Sequence, residues 1–156
     1  MTYKIKRVYV DTSVVGGLFD SAFGWQTEPF WDAVRNGEII VIVSDLLEDE
    51  LKGAPKHVQD FFDELPESQI ERVAATTEAE DLAARYIAEQ VVGRSSRDDC
   101  LHIAIATLAH ADVLVSWNFK HIVNVNRIRG YNGVNMKLGY SQIDIRTPYE
   151  VIHDTT

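Results

Sequence analysis

The stretch RDDCLHIAIATLAHADVLVSWNFKHI, Arg97 to Ile122, decides the reading of this chain. Leu101, Ala104, Ile105 and Leu108 recur at helical spacing behind two capping serines, Ser95 and Ser96, which predicts a helix ending around His110. Val113 to Trp117 then reads as a strand apolar enough to be covered on both faces. A helix that leads into such a strand is half of a parallel crossover. Its first turn, with Asp98 and Asp99, therefore lies at the sheet edge where the strand ends at Asn118.

The same grammar holds upstream. Val8 to Val10 is a short strand stopped by Asp11, and Thr12 and Ser13 offer caps for a helix with Val14, Val15, Leu18 and Phe19. Ile39 to Val43 is continuously apolar, the pattern of a buried parallel strand, and Ser44 caps the helix after it. Ile70 to Ala75 is a weaker third strand. Thr77 with Glu80 forms a capping box for a helix through Leu82, Ala83, Tyr86 and Ile87 that ends near Gly93. Glu28-Pro29, between Trp25 and Trp31, reads as a helix start, and Gln142 to Arg146 is a fifth strand. Strands alternating with helices predict an α/β fold, a three-layer α/β/α sandwich around a central parallel sheet, in a single domain spanning 1–156.

Ligands of such sheets sit beyond the carboxyl ends of the strands. Asp11, Glu50, Asp98 or Asp99, and Asn118 all fall there. Taken singly, each acid has a plainer reading: Asp11 a helix cap, Asp98 and Asp99 partners of a helix dipole, Glu50 a solvated surface acid. Together they repel, by a few kcal/mol per pair at ~4 Å and an effective dielectric of about 20, so the cluster calls for a cation. Oxygen ligands select a hard ion, Mg²⁺ or Mn²⁺, whose usual work is phosphoryl chemistry.

These blocks resemble a known family. YVDTSVVGGLF from Tyr9, VIVSDLLEDEL from Val41 and the Arg97 to Ile122 stretch are similar to the PIN-domain nucleases, including VapC-type toxins, over a span from about Tyr9 to Pro148. The resemblance implies a PIN-like endoribonuclease, a hydrolase in which Asp11, Glu50 and Asp99 hold Mg²⁺ or Mn²⁺, with Ser13 as the polar residue two positions after the first acid. It also implies a toxin-antitoxin system, with an antitoxin protein as partner, and a homodimer. Asn118 is a departure, because many relatives carry a fourth acid there. An amide offers a carbonyl oxygen to an ion or orients a water, and Asp98, rotated about 100° from Asp99 on the helix, is the weaker substitute for the missing charge. The motif Trp117-Asn118-Phe119-Lys120-His121 resembles a subgroup of the family.

Composition constrains the rest. The chain has 156 residues, 15 Lys and Arg against 24 Asp and Glu, and a net charge of −9, which disfavours a protein that coats nucleic acid by charge alone. Val113 to Ile143 is the exception: it has no acid and carries Lys120, Arg127, Arg129 and Lys137, a charge of +4 that leaves −13 for the remainder. Asparagines, Trp117, Phe119, Tyr131 and Tyr140 are interleaved there, which suits a single strand of RNA. The substrate-binding candidates are Ser13, Lys120, His121, Arg127 and Arg129. The plainer alternative for the segment is an irregular loop turned by Gly130 and Asn132-Gly133. His102, one turn after Asp98 and Asp99, is near enough to touch the site but reads more readily as a satisfied, partly buried histidine, and Cys100 reads as a small core residue. One cysteine and no HxH or HExxH spacing argue against a disulfide scaffold and against zinc. Met1 to Arg7 is not followed by a signal-peptide core, and no apolar run is long enough for a membrane span, so a cytoplasmic protein is expected.

A chemically different use of an Asp after strand one, in haloacid-dehalogenase-like phosphatases, expects a second Asp where this chain has Ser13. A second class remains beside the nuclease: a catalytically weak PIN-fold module that binds RNA or protein.

Overall fold

The computed structural model describes residues 6–153; the leader reading at Met1 to Ile5 lies outside them, as do residues 154–156. Five strands, β1 (Lys6–Val10), β2 (Ile39–Ser44), β3 (Ile70–Val73), β4 (Val113–Val115) and β5 (Ile145–Arg146), form one sheet in the order β3-β2-β1-β4-β5. Every pairing is parallel, with Val8 opposite both Val41 and Val113. The helices are α1 (Thr12–Gly17), α2 (Gly24–Arg35), α3 (Asp45–Leu51), α4 (Lys56–Asp63), α5 (Thr77–Ala88), α6 (Arg97–Leu108), α7 (Val125–Lys137) and α8 (Pro148–His153).

Strand alternation sorts the core into two layers. Val8, Val10, Val41, Val43, Val113 and Val115 face one way and pack with Phe30, Trp31, Leu47 and Phe61 from α2, α3 and α4. Tyr9, Ile42 and Leu114 face the other way and pack with Leu82, Tyr86, Ile103, Tyr131 and Val134 from α5, α6 and α7. The expected three-layer α/β/α architecture with a central parallel sheet is what the chain forms. Among the described residues no helix is long and apolar enough to cross a membrane.

Several boundaries differ from the sequence reading, each for a local reason. The strands β3 and β4 stop short of Ala75 and Trp117 because their ladder pairs end at Val73 and Val115, and β5 covers only the end of Gln142 to Arg146 because its pairing begins at Ile145. Thr76, not Thr77, caps α5, accepting from the Ala79 amide at 3.2 Å; Thr77 is already helical, so its pairing with Glu80 as a box is lost. Both α5 and α6 stop early in the same way. Gln90 and His110 take left-handed φ of 62° and 53°, and the amides of Val91 and Ala111 reach back to the carbonyls of Tyr86 and Ala106. This closure usually advertises itself with glycine, which neither helix has there.

The helix expected to start at Glu28-Pro29 starts at Gly24, with Pro29 inside it, because the Asp20 carboxylate takes the amides of Ala22 and Phe23 just ahead. Arg94–Ser96 forms a 3₁₀ turn rather than a cap, and the Ser96 hydroxyl makes no cap hydrogen bond. The loop alternative for Val113 to Ile143 fails over α7. Asn124 accepts from the amides of Asn126 and Arg127 and starts that helix in spite of its two glycines. Gly130 is there for fit, since a Cβ on it would lie 2.7 Å from Val91 Cγ1.

Candidate active site

Parallel strands bring their carboxyl ends, and the starts of the following helices, to one edge. Asp11 stands there at the end of β1, 5% exposed, in the N-cap position of α1 without a side-chain cap bond. Thr12 and Ser13 are the first residues of α1 rather than its caps, and their hydroxyls turn to the acids instead. Ser13 donates to Asp11 Oδ1 and Ser116 to Oδ2, each at 2.6 Å. The same hydroxyls accept the amides of Trp117 and Asn118 at 2.9 Å, so the two serines fold the segment after β4 onto Asp11. Ser13, a substrate-binding candidate from the sequence, has its proton committed to Asp11. Burial pushes the Asp11 carboxyl above the ordinary aspartate range; nearby His102 and the hydroxyls of Ser116 and Ser13 oppose the shift without cancelling it.

Glu50 lies at the end of α3, whose start is fixed by Ser44 accepting the Leu47 amide. Glu50 Oε1 receives the Thr12 hydroxyl at 2.9 Å and sits 2.6 Å from His102 Nε2. Desolvation works to raise its pKa, but the hydrogen bonds and charge of His102 and the Thr12 hydroxyl prevail, and the carboxylate is held below its usual value.

Asp99, in the first turn of α6, is half-buried, and burial raises its pKa against the influence of His121, His102 and the Asn118 side chain. Asn118 is oriented by its own carbonyl oxygen, which accepts the His121 amide at 3.0 Å, and its side chain is near enough to Asp99 to favour that acid's ionised form. The carbonyl oxygen is thus a turn acceptor with a lone pair still open to an ion or a water. Asp98 is exposed and makes no hydrogen bond among the described residues.

The basic segment is only partly drawn in. Lys120 and Arg129 are exposed, and His121 is half-buried beside Asp99, its Nδ1 without a hydrogen-bond partner among the described residues. Arg127 bonds the Val91 carbonyl and lines, with Arg94, a cavity of about 640 Å³ that none of Asp11, Glu50, Asp99 or Asn118 borders. Trp117 is buried, its Nε1 donating to Thr27 at 2.9 Å and its ring stacked on Phe23 at 4.6 Å, with Phe119 exposed beside them.

His102 is the residue the sequence reading underrated. It is 3% exposed and satisfied, as expected, but its partners are Glu50 on one nitrogen and the Tyr9 hydroxyl, at 2.6 Å, on the other. The available signals were a tyrosine between Val8 and Val10, two residues before Asp11, and a histidine one turn after Asp99.

The donors fit a hard divalent ion in kind: carboxylate oxygens, two of them on groups whose charge is penalised by burial and would be favoured by a cation. As placed, no three His, Cys, Asp or Glu side chains among the described residues are gathered into a ring of ligands.

No family model matches the chain, and no curated protein matches it in sequence. Solved structures do. VapC20 of Mycobacterium tuberculosis, described as a sarcin-ricin loop cleaving toxin, has a TM-score of 0.56 at 13% identity, covering 88% of this chain and 98% of that one. VapBC2 of Rickettsia felis, solved on a DNA fragment from its promoter, has a TM-score of 0.53 at 13% identity, covering 90% and 98%. The fold is PIN-like. At such identity the likeness is one of architecture alone.

Proposed function

We propose that this chain is a metal-dependent endoribonuclease hydrolysing RNA phosphodiester bonds, and the toxin of a toxin-antitoxin pair. The supporting observation is that Asp11, Glu50 and Asp99 come from three separate elements to one sheet edge, where Asp11 is buried and accepts the hydroxyls of Ser13 and Ser116. Asp11 and Asp99, with Glu50, would hold Mg²⁺ or Mn²⁺. Such an ion supplies a water acidic enough to attack a phosphodiester and offsets charge on the phosphate. Ser13 and Ser116 keep both oxygens of Asp11 in one orientation. The Asn118 side chain, near Asp99, favours that acid's ionised form. Lys120, His121 and the exposed Phe119 directly follow Asn118 and would meet the phosphate and a base of the bound strand. VapC20 is described as cleaving an RNA loop, and VapBC2 as a complex on promoter DNA, which supports RNA as substrate and an antitoxin as partner. A homodimer in the cytoplasm completes the reading.

The absence, among the described residues, of a formed ring of ligands favours the second reading, a PIN-fold module that binds RNA or protein without cutting. Cleavage of mixed small RNAs by purified protein with Mg²⁺, Mn²⁺ or EDTA separates the two. Metal-dependent cutting that disappears in Asp11→Asn supports the nuclease; no cutting at millimolar Mn²⁺ leaves the binding module.

A further inference from the structure

Three buried polar side chains join the elements that carry the acids. Ser44 Oγ lies 2.8 Å from the Tyr9 hydroxyl, which lies 2.6 Å from His102 Nδ1, and His102 Nε2 lies 2.6 Å from Glu50 Oε1. Tyr9 shares β1 with the approach to Asp11, Ser44 caps the helix of Glu50, and His102 is one turn from Asp99 on α6. Each acid therefore has a member of this chain of hydrogen bonds on or beside its own element. We propose that His102 is a positioning residue of the acidic site, fixed by Tyr9 in the tautomer that donates from Nε2 to Glu50 and so aims that acid toward a divalent cation. The proposal rests on the metal-dependent reading of the site above.

The proton count sets the direction. A carboxylate only accepts, so with Glu50 Oε1 at 2.6 Å the Nε2 of His102 carries a hydrogen. Ser44 Oγ already accepts the Leu47 amide, and its proton has the Tyr9 oxygen as its partner among the described residues. The Tyr9 proton then goes to Nδ1, which accepts it. Every buried donor and acceptor in the series is satisfied in this arrangement and in one direction, Ser44 to Tyr9 to His102 to Glu50. An Nδ1–H would leave the Ser44 proton without an acceptor, since the Tyr9 hydroxyl would have to turn its own proton toward Ser44.

The consequence falls on Glu50. Its Oε1 takes both Thr12 and His102, while Oε2 has no hydrogen bond from the described residues and is the oxygen left for a metal or its water. An unbraced Glu50, one-third exposed, would sample several rotamers and lose that aim. The imidazole itself, 3% exposed, is out of reach of a polymer substrate.

Three variants of the full chain test this: His102→Leu, His102→Gln, which keeps a donor for Glu50, and Tyr9→Phe, which keeps the bulk and removes only the hydroxyl. Mn²⁺ binding is read by electron paramagnetic resonance and the ring nitrogens of His102 by NMR on metal-free protein, with melting recorded for each. His102→Leu is expected to weaken Mn²⁺ binding about tenfold or more, His102→Gln to recover to within about threefold of wild type, and Tyr9→Phe to fall between. Adding Glu50→Gln to His102→Leu should cost little further, because both remove one aimed oxygen. In cleavage the loss should appear in the metal requirement and kcat, with KM for RNA unchanged. An Nδ1–H tautomer in the NMR spectrum, or wild-type Mn²⁺ affinity in both His102→Leu and Tyr9→Phe, overturns the positioning role while RNA cleavage by wild type leaves the nuclease reading standing. Wild type that neither binds Mn²⁺ nor cuts RNA overturns both.

Discussion

Strand β1 meets acids at both of its ends and treats them in opposite ways. At the start, Arg7 grips Glu71 with Nε at 2.9 Å and Nη2 at 2.6 Å, and the same guanidinium donates to the carbonyls of Ala109 and His110 that close α6. The Arg7 amide holds Asp112 at 2.9 Å. Glu71, hydrogen-bonded to a cation, is held below the ordinary glutamate range. Four residues on, Asp11 is more deeply buried yet receives hydroxyls in place of a guanidinium, and its pKa rises. Parallel topology explains the division. Helix C-termini, with their unpaired carbonyls, gather at the Arg7 edge, while helix N-termini and the acids gather at the other. One edge balances its acids with a guanidinium; at the other, the burial of Asp11 and Asp99 is offset only in part.

The largest way to break that contrast is Asp11→Asn. Removing the charge should reduce RNA cleavage about a hundredfold or more, roughly 2.7 kcal/mol of barrier, if the site works as a metal centre. The same change should raise the melting temperature of the metal-free protein, since a buried, uncompensated carboxylate is relieved. Rates and melts with and without Mg²⁺ check both halves. A variant that cuts as well as wild type would reduce Asp11 to a structural acid.

A smaller effect is expected at Asn118. Its side chain is near Asp99, and its carbonyl oxygen holds the turn at His121. Asn118→Ala should slow cleavage about tenfold, roughly 1.4 kcal/mol, by releasing Asp99 and loosening that turn. Asn118→Asp keeps the turn acceptor but sets a second carboxylate against Asp99, so it should lower the metal-free melting temperature and tighten Mn²⁺ binding. Titration of both variants with Mn²⁺ gives the answer. Equal metal affinity in wild type and Asn118→Asp would mean that this position does not face the ion.

The sequence carried the parallel character of the sheet's centre because the runs at Val8, Ile39 and Val113 are continuously apolar, as strands covered by helices on both faces are. With those strands in place, Asp11 and Asn118 had to share an edge. What it hid was of two kinds. Helix ends closed by Gln90 and His110 in the left-handed region carry no glycine to announce them, and α7 starts on an asparagine cap and crosses two glycines that composition assigns to turns. The second kind is long-range pairing of single polar groups: His102 with Glu50, Tyr9 with Ser44, Ser116 with Asp11. Their spacing along the chain has no period, so each acid was legible from topology and its partner was not.

The smallest expected effect lies at the compensated edge. Arg7 and Glu71 are each about one-third exposed, so solvent screens the pair and Glu71→Gln should cost about 0.5–1 kcal/mol despite the two-pronged geometry. Cleavage should not change, because the pair is at the far end of β1 from Asp11. The pH dependence distinguishes the two edges by sign. Glu71 has a folded pKa below its unfolded value, so its contribution is present above the unfolded pKa and is lost as pH falls through the folded one. Asp11 has a folded pKa above its unfolded value, so it burdens the fold above the folded pKa, and the burden lifts as pH falls through it toward the unfolded one. Metal-free melts from neutral to acid pH should therefore find Glu71→Gln less stable than wild type and Asp11→Asn more stable at neutrality, with both differences shrinking toward acid. Added salt should shrink the Glu71 difference far more than the Asp11 one, since only the former is within reach of mobile ions. Two differences of the same sign at neutral pH would mean that Asp11 is stabilised by its serines as fully as Glu71 is by Arg7, and the case for an external cation would lose its physical basis.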